Sequence, residues 1–211
     1  MGENDHLSDA NIQLNKHINR YIKPNNTRAF LALGVTLLIE VVAILLIKYN
    51  VYFIGWTIHC LNMVRIFVQF HDMAHFSYFE SIWLNKVVGH VVGLYVQFPF
   101  QMWRDGHNHH HKHFGNLDRT DLSQTILFSK KDYEGYSVPK KIFVRIFRDP
   151  VVFFLFTVQY LWFAGVLYNS IKKYGVFSSS VIEKLLSVAV FYLYWIYDMP
   201  VLELYLSLHM A

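Results

Sequence analysis

Residues 102–116 read MWRDGHNHHHKHFGN and place five histidines, His107, His109, His110, His111 and His113, within seven positions of a 211-residue chain that holds twelve in all. A sparser group, HDMAH, spaces His71 and His75 four apart at the end of an apolar stretch. Residues four apart share one face of a helix, so HDMAH can offer two imidazoles to one metal. At ~100° per residue, His107, His110 and His111 fall within an arc of roughly 100°, while His109 and His113 point the other way. The spacing therefore selects His71, His75, His107, His110 and His111 as candidate ligands facing one volume. Imidazole without thiolate suits iron, copper, nickel or zinc. Iron is the expected occupant for a chemical reason: a histidine-rich site with open positions can bind and activate oxygen when its metal changes oxidation state, and zinc does not change it. Asp72, Asp105, Asp118 and Asp121 lie near enough in sequence to accept from the other ring nitrogens. His59 and His90 sit in apolar stretches and are expected to meet a neighbour or the interface rather than a metal. His6, His17 and His209 have no evident role.

The elements that must hold these rings are expected to be membrane helices. Hydrophobic residues make up 54 % of the chain and aromatics 18 %, above the globular norm. Positions 29–47 and 151–168 are strongly apolar runs close to the ~20 residues that cross a ~30 Å hydrocarbon core as helix. Positions 51–70 and 181–197 have the length but carry Arg65, Gln69, Glu183 and Lys184 near their ends, where long side chains are expected to reach outward to the headgroups. Four spans follow, in an all-α membrane fold. The alternative is a soluble all-helical protein with unusually apolar core helices. The polar residues 1–28 read as a cytoplasmic arm rather than a cleavable signal. The single cysteine, Cys60, excludes a disulfide framework and a thiolate metal site. The formal charge of +4 comes from basic residues beside the apolar runs, as for loops facing cytoplasm and anionic lipid, so nucleic acid is not the expected partner.

Topology decides whether the two histidine groups meet. Only KYN, positions 48–50, separates the first two runs, so the second returns HDMAH to the side on which the chain began. Positions 81–100 are long enough to span, but Asn85, Lys86, His90, Gln97 and two glycines would then lie in hydrocarbon, at a cost of at least ~2.5 kcal/mol for each ionisable group near the centre. A tilted, re-entrant or interfacial segment is expected instead, which leaves both groups on one face. Arg104, Lys112, Arg119, Lys130, Lys131, Lys140, Lys141, Arg145 and Arg148 follow it and make that face cytoplasmic, against Lys172 and Lys173 on the other side. KKIFVRIFRDP, positions 140–150, has the pattern of a helix lying in the interface, and Pro150 opens the third span.

Taken together, the two groups resemble the histidine boxes of membrane-bound fatty acid desaturases. The first box, H-x(3-4)-H, is HDMAH at 71–75; the second, H-x(2-3)-H-H, is HNHHH at 107–111, and MWRDG resembles the Trp-Arg lead-in. GNLDRTDLSQTILFSKKDYEGY and RIFRDP are similar to the continuation in the delta-12 (omega-6) acyl-lipid branch. The resemblance covers roughly positions 30 to 170. It implies four transmembrane helices and two cytoplasmic irons, with His71, His75, His107, His110 and His111 among their ligands. It also implies removal of hydrogens from adjacent methylenes of a lipid acyl chain, with oxygen and electrons from an external donor, cytochrome b5 or ferredoxin. The family's third box, H/Q-x(2-3)-H-H, has no match after His113. Residues 29–211 are therefore read as a desaturase-like membrane domain without that box, and the chain as C-terminally truncated and inactive, or nearly so, by itself. The alternatives are an acyl or carotenoid hydroxylase of the same histidine-box group, and a non-catalytic membrane metal-binding protein that would tolerate loss of His71.

Overall fold

The computed structural model of the protein describes residues 23–116, 128–153 and 164–196. Among these the chain is all-helical. Helix α1 (Asn26–Lys48) begins where Asn25 accepts a hydrogen bond from the Arg28 amide at 2.9 Å, which satisfies one of the donors that a first turn leaves open. The chain reverses over Tyr49–Val51, with Asn50 at φ 67°, a left-handed conformation that asparagine tolerates better than most residues. Helix α2 (Tyr52–Ala74) then runs back alongside α1. Each has 23 residues, about 35 Å of helix, and these are the two described helices long and apolar enough to cross a membrane.

Their packing is inverted relative to a soluble helix pair. α1 turns Ala29, Thr36, Glu40, Ala43 and Ile47 inward, while Leu31, Leu37 and Leu38 are each more than half exposed. A helix with its leucines outside and its glutamate inside is stable where the surroundings are hydrocarbon, because there the polar groups must be satisfied within the protein. The two helices thus fit association with a membrane. Between the two helices, Asn62 Nδ2 donates to Glu40 Oε2 at 2.8 Å and to Thr36 O at 3.1 Å, and Gln69 Nε2 donates to Thr36 Oγ1 at 2.8 Å. His59 Nδ1 lies 2.7 Å from Glu40 Oε1, so His59 meets a polar neighbour as expected. The outward reach expected of Gln69, Glu183 and Lys184 is corrected here: all three are buried. Each has a partner on a neighbouring helix or in the turn that follows α3, and a satisfied polar group inside a helix bundle needs no route to the headgroups.

The segment at 81–100 does not form a span. Helix α3 (Ile82–Tyr95) has 14 residues, about 21 Å and short of a ~30 Å core. The chain turns at Val96–Pro99, with Gln97 at φ 61°, and helix α4 (Phe100–His113) carries the second histidine group back. Tyr95 Oη donates to Glu40, which seats the turn against α1. Tight contact between the two arms depends on Gly93, since a Cβ there would come within 2.6 Å of the Phe98 carbonyl oxygen. The loop between α2 and α3 is fastened to the start of α1. Glu80 N donates to Asn26 Oδ1 at 3.0 Å, Tyr78 Oη donates to Ala29 O at 3.0 Å, and the buried Asn85 holds Phe79 and Ser81 through its amide.

Beyond residue 128, Ser129 and Asp132 form a capping box for α5 (Lys130–Gly135). Helix α6 (Val138–Arg148) buries none of its residues, and Val138, Ile142, Phe143 and Ile146 are all more than half exposed between its basic side chains. Asp149 Oδ1 then accepts from the Val151 and Val152 amides at 3.0 and 3.2 Å with Pro150 in the first turn, a helix start. Most of the third expected span, 154–163, lies outside the described residues. Helices α7 (Val166–Tyr174) and α8 (Ser179–Ile196) follow, and α8 packs on α3, α4 and α7.

Candidate metal centre

The core of the described fold is aromatic and lies directly beneath the histidines. Phe70, from α2, is fully buried and meets Phe100 at a centroid distance of 5.7 Å and Trp103 at 5.0 Å, both from α4. Phe67 adds an edge contact to Trp103 at 5.5 Å. One turn above this layer the two histidine groups meet. His107 Nε2 lies 3.1 Å from His75 Nε2 and 2.9 Å from His111 Nε2. The His71 ring stands 4.6 Å from His75 and 4.7 Å from His107, centroid to centroid. One ligand nitrogen from each of His71, His75, His107 and His111 falls within 4.8 Å of every other.

The fifth candidate, His110, is not in this group. Its ring is 6.3 Å from His107 and 5.9 Å from His111, and its Nδ1 is buried with no hydrogen-bond partner among the described residues. The physical reason is rotation: on α4, His111 lies about 40° to one side of His107 and His110 about 60° to the other, and the first side faces α2. His109 and His113 pair on a different face, with rings 4.2 Å apart. His90 meets Glu183 on α8, with Nδ1 2.9 Å from Oε1.

Four imidazoles with converging nitrogens suit a cation better than they suit each other. His107 Nε2 faces two further Nε2 atoms and carries at most one hydrogen, so it cannot satisfy both contacts as a neutral ring. Donors at right angles around a metal at about 2.1 Å sit about 3.0 Å apart, close to the separations of His107 from His75 and from His111. The residues present therefore fit one imidazole-bound ion. Burial, reinforced by the neighbouring His71 and His111 rings, lowers the His107 pKa to about 4, and the same causes lower that of His75. Both rings are consequently neutral at physiological pH with a lone pair to offer.

Several side chains hold the ligands in place. Trp103 stacks on His107 at 4.3 Å and 17°, and Arg104 lies 4.4 Å over the Phe76 ring beside His75. Asp72 Oδ1 lies 3.1 Å from His71 Nδ1, which keeps the proton on Nδ1 and frees Nε2 for a metal. Asp72→Ala is expected to weaken metal binding by about 10–100-fold without unfolding the chain; titration with ferrous or cobaltous ion measures it, and unchanged affinity would show that Asp72 does not orient the ring. Asp105 serves a different purpose from the one expected. It accepts from Tyr174 Oη at 2.7 Å and from Gln101, and so ties α4 to the end of α7. Asp118 and Asp121 lie outside the described residues. Sequence reasoning passed over Trp103 as a stacking platform, although its position four before His107 is itself a one-face helical spacing.

The fold and site define a class: a helical protein with two helices of membrane-crossing length and, where its helices end, a histidine-only cluster able to hold a metal ion. A family model for fatty acid desaturases matches residues 27–208, and the chain belongs to the fatty acid desaturase family. It is 28 % identical over 113 residues to a fatty acid desaturase of Bacillus subtilis (strain 168), a stretch covering 54 % of this chain and 31 % of that protein. It is 30 % identical over 156 residues to the sn-1 oleoyl-lipid 12-desaturase of Anabaena variabilis, covering 71 % and 41 %. Over 82 residues it is 38 % identical to the endoplasmic reticulum omega-3 fatty acid desaturase of Nicotiana tabacum, covering 39 % and 21 %. The chain thus spans less than half the length of these curated relatives. No solved structure matches it.

Proposed function

We propose that this chain carries the iron-binding core of an acyl-lipid desaturase, an oxidoreductase that introduces a double bond into a lipid acyl chain. The observation that carries the reading is the 3.1 Å approach of His75 to His107, which joins two boxes 32 residues apart in a chain whose family match runs almost from end to end. His71, His75, His107 and His111 hold one iron, and His110, the fifth expected ligand, stands beside them with an unpartnered nitrogen. Bound iron would supply oxygen activation and take up electrons. Donors beyond the four that converge would be needed to hold the second iron expected from the family.

The chain's own residues do the rest. Asp72 sets the tautomer of His71, Trp103 fixes the plane of His107, and the α3–α4 hairpin brings the second box to the first without crossing the bilayer. Four spans, with the metal centre on the cytoplasmic face, are supported by the two long apolar helices, the short hairpin and the basic residues that follow it. A lipid substrate is supported by the outward-facing leucines of α1, a surface suited to contact with acyl chains. Electrons come from a separate protein, cytochrome b5 or ferredoxin; one relative, from Nostoc sp. (strain 36), is a ferredoxin-dependent sn-1 acyl-lipid omega-3 desaturase.

The test is genetic. His107→Ala introduced at the gene's own locus should remove one class of double bond from membrane acyl chains, read by gas chromatography of methyl esters. An unchanged acyl profile counts against desaturation, and loss of a hydroxylated lipid in its place would favour the hydroxylase alternative.

A further inference from the structure

Two neighbouring residues of α8 reach the turn of the α3–α4 hairpin. Glu183 Oε2 accepts from the Phe100 backbone N–H at 2.9 Å, while its Oε1 lies 2.9 Å from His90 Nδ1 on α3. Lys184 Nζ donates to the Gln97 carbonyl at 3.1 Å. Glu183 is 9 % exposed and Lys184 1 %, so both are committed to these contacts. Phe100 opens α4, and Pro99 before it supplies no side-chain cap. Its amide is one of the four that every helix start leaves without an intrahelical partner. A carboxylate 83 residues away in sequence fills the role that a local serine or aspartate usually plays, at the positive end of the α4 dipole.

The consequence for the metal centre is geometric. A helix that slips by one residue moves by about 1.5 Å and turns by about 100°. His107 and His111 lie on α4 beyond this anchor, and their Nε2 atoms meet His75 and each other within 3.1 Å. Apolar packing of Phe100 and Trp103 against Phe70 limits the tilt of α4, but apolar contacts are non-directional and tolerate small slides. The hydrogen bond to the Phe100 amide is directional and holds one defined point of the helix backbone. His90 and Lys184 complete the clamp by fixing the opposite arm and the turn itself. The whole assembly lies at the far end of α4 from His111, so it acts on the ligands through the helix and not by touching the metal.

We infer that Glu183, supported by Lys184, is a positioning residue: by capping α4 from α8 it sets the rotation and height of the helix that aims His107 and His111 at His71 and His75. This rests on reading those four histidines as a metal centre, and two measurements keep the claims separable. The first is binding of Co(II) and Fe(II) to the whole chain in detergent, with the visible spectrum of bound Co(II) as the report on ligand geometry. The second needs no metal: electron paramagnetic distance measurement between spin labels on Leu61→Cys and Lys112→Cys, both exposed positions, in a Cys60→Ser background.

Glu183→Ala should weaken Co(II) binding about tenfold or more, change its spectrum and broaden the label distances, with helix content unchanged. Glu183→Gln keeps an acceptor at the right length for the Phe100 amide and should stay near wild type in all three. Glu183→Asp keeps the charge but withdraws it by one methylene, and should resemble Glu183→Ala; this contrast decides the matter even if the alanine variant does not fold. Equal Co(II) spectra, affinities and label distances across wild type, Glu183→Asp and any folded Glu183→Ala overturn the inference while leaving the metal centre intact. Broadened distances in a protein that binds neither ion leave the positioning role standing and remove the metal reading instead.

Discussion

Purified with ferrous iron, the wild-type chain is expected to retain metal that His107→Ala loses, with affinity reduced by ~100-fold or more, beyond what removing a partner behind a ligand brings. His107 is the member of the group whose Nε2 approaches two others, at 2.9 and 3.1 Å, and its ring is within 5.0 Å of His71, His75 and His111. Its loss therefore removes a ligand and parts the two boxes. His110→Ala is the informative companion. Spacing along the helix makes His110 as good a candidate as His111, but its ring stands outside the converging four, so this variant should keep one ion near wild-type affinity. Metal analysis and competition titration distinguish the two. If His110→Ala empties the site as His107→Ala does, the four-histidine centre is wrong as drawn. Retention of zinc or nickel in preference to iron, insensitive to His71→Ala, would point to a scavenging loop.

The second large effect is expected from Phe70→Ala. This ring is fully buried between the helix that ends in the first box and the helix that bears the second, and it touches Phe67, Phe100 and Trp103. Deleting a buried phenyl group costs about 3–5 kcal/mol when the cavity cannot collapse. Here collapse is opposed by the glycine-dependent contact of α3 with α4 and by the polar ties of Tyr95 to Glu40 and of Phe100 to Glu183. The midpoint of unfolding in SDS should fall steeply, and metal affinity should fall with it because Trp103 loses its support beneath His107. A variant that keeps its midpoint but loses metal would mean that Phe70 matters only for aiming Trp103; one that loses neither would deny the aromatic layer its role.

The amino-acid sequence by itself determined the apolar helices and the residue types that could bind a metal. HDMAH and HNHHH carry ligand spacing in their own order, and the largely apolar stretch over 29–47 could be read without any neighbour because crossing hydrocarbon is a requirement each helix meets alone. The polar content of 81–100 was equally legible as a reason against a span, and α3 is indeed too short for one. Which histidines converge was decided only in three dimensions. His110 and His111 flank His107 on either side of the same arc, and the choice between them depends on how α4 is rotated against α2. That rotation is set by Trp103 and Phe100 packing on Phe70, and by a carboxylate arriving from α8. The same holds for Gln69, Glu183 and Lys184, whose places near the ends of apolar runs suggested that they face outward. A polar side chain in a membrane helix goes where its partner is, and the partners are Thr36 and His90 on other helices and Gln97 in the α3–α4 turn.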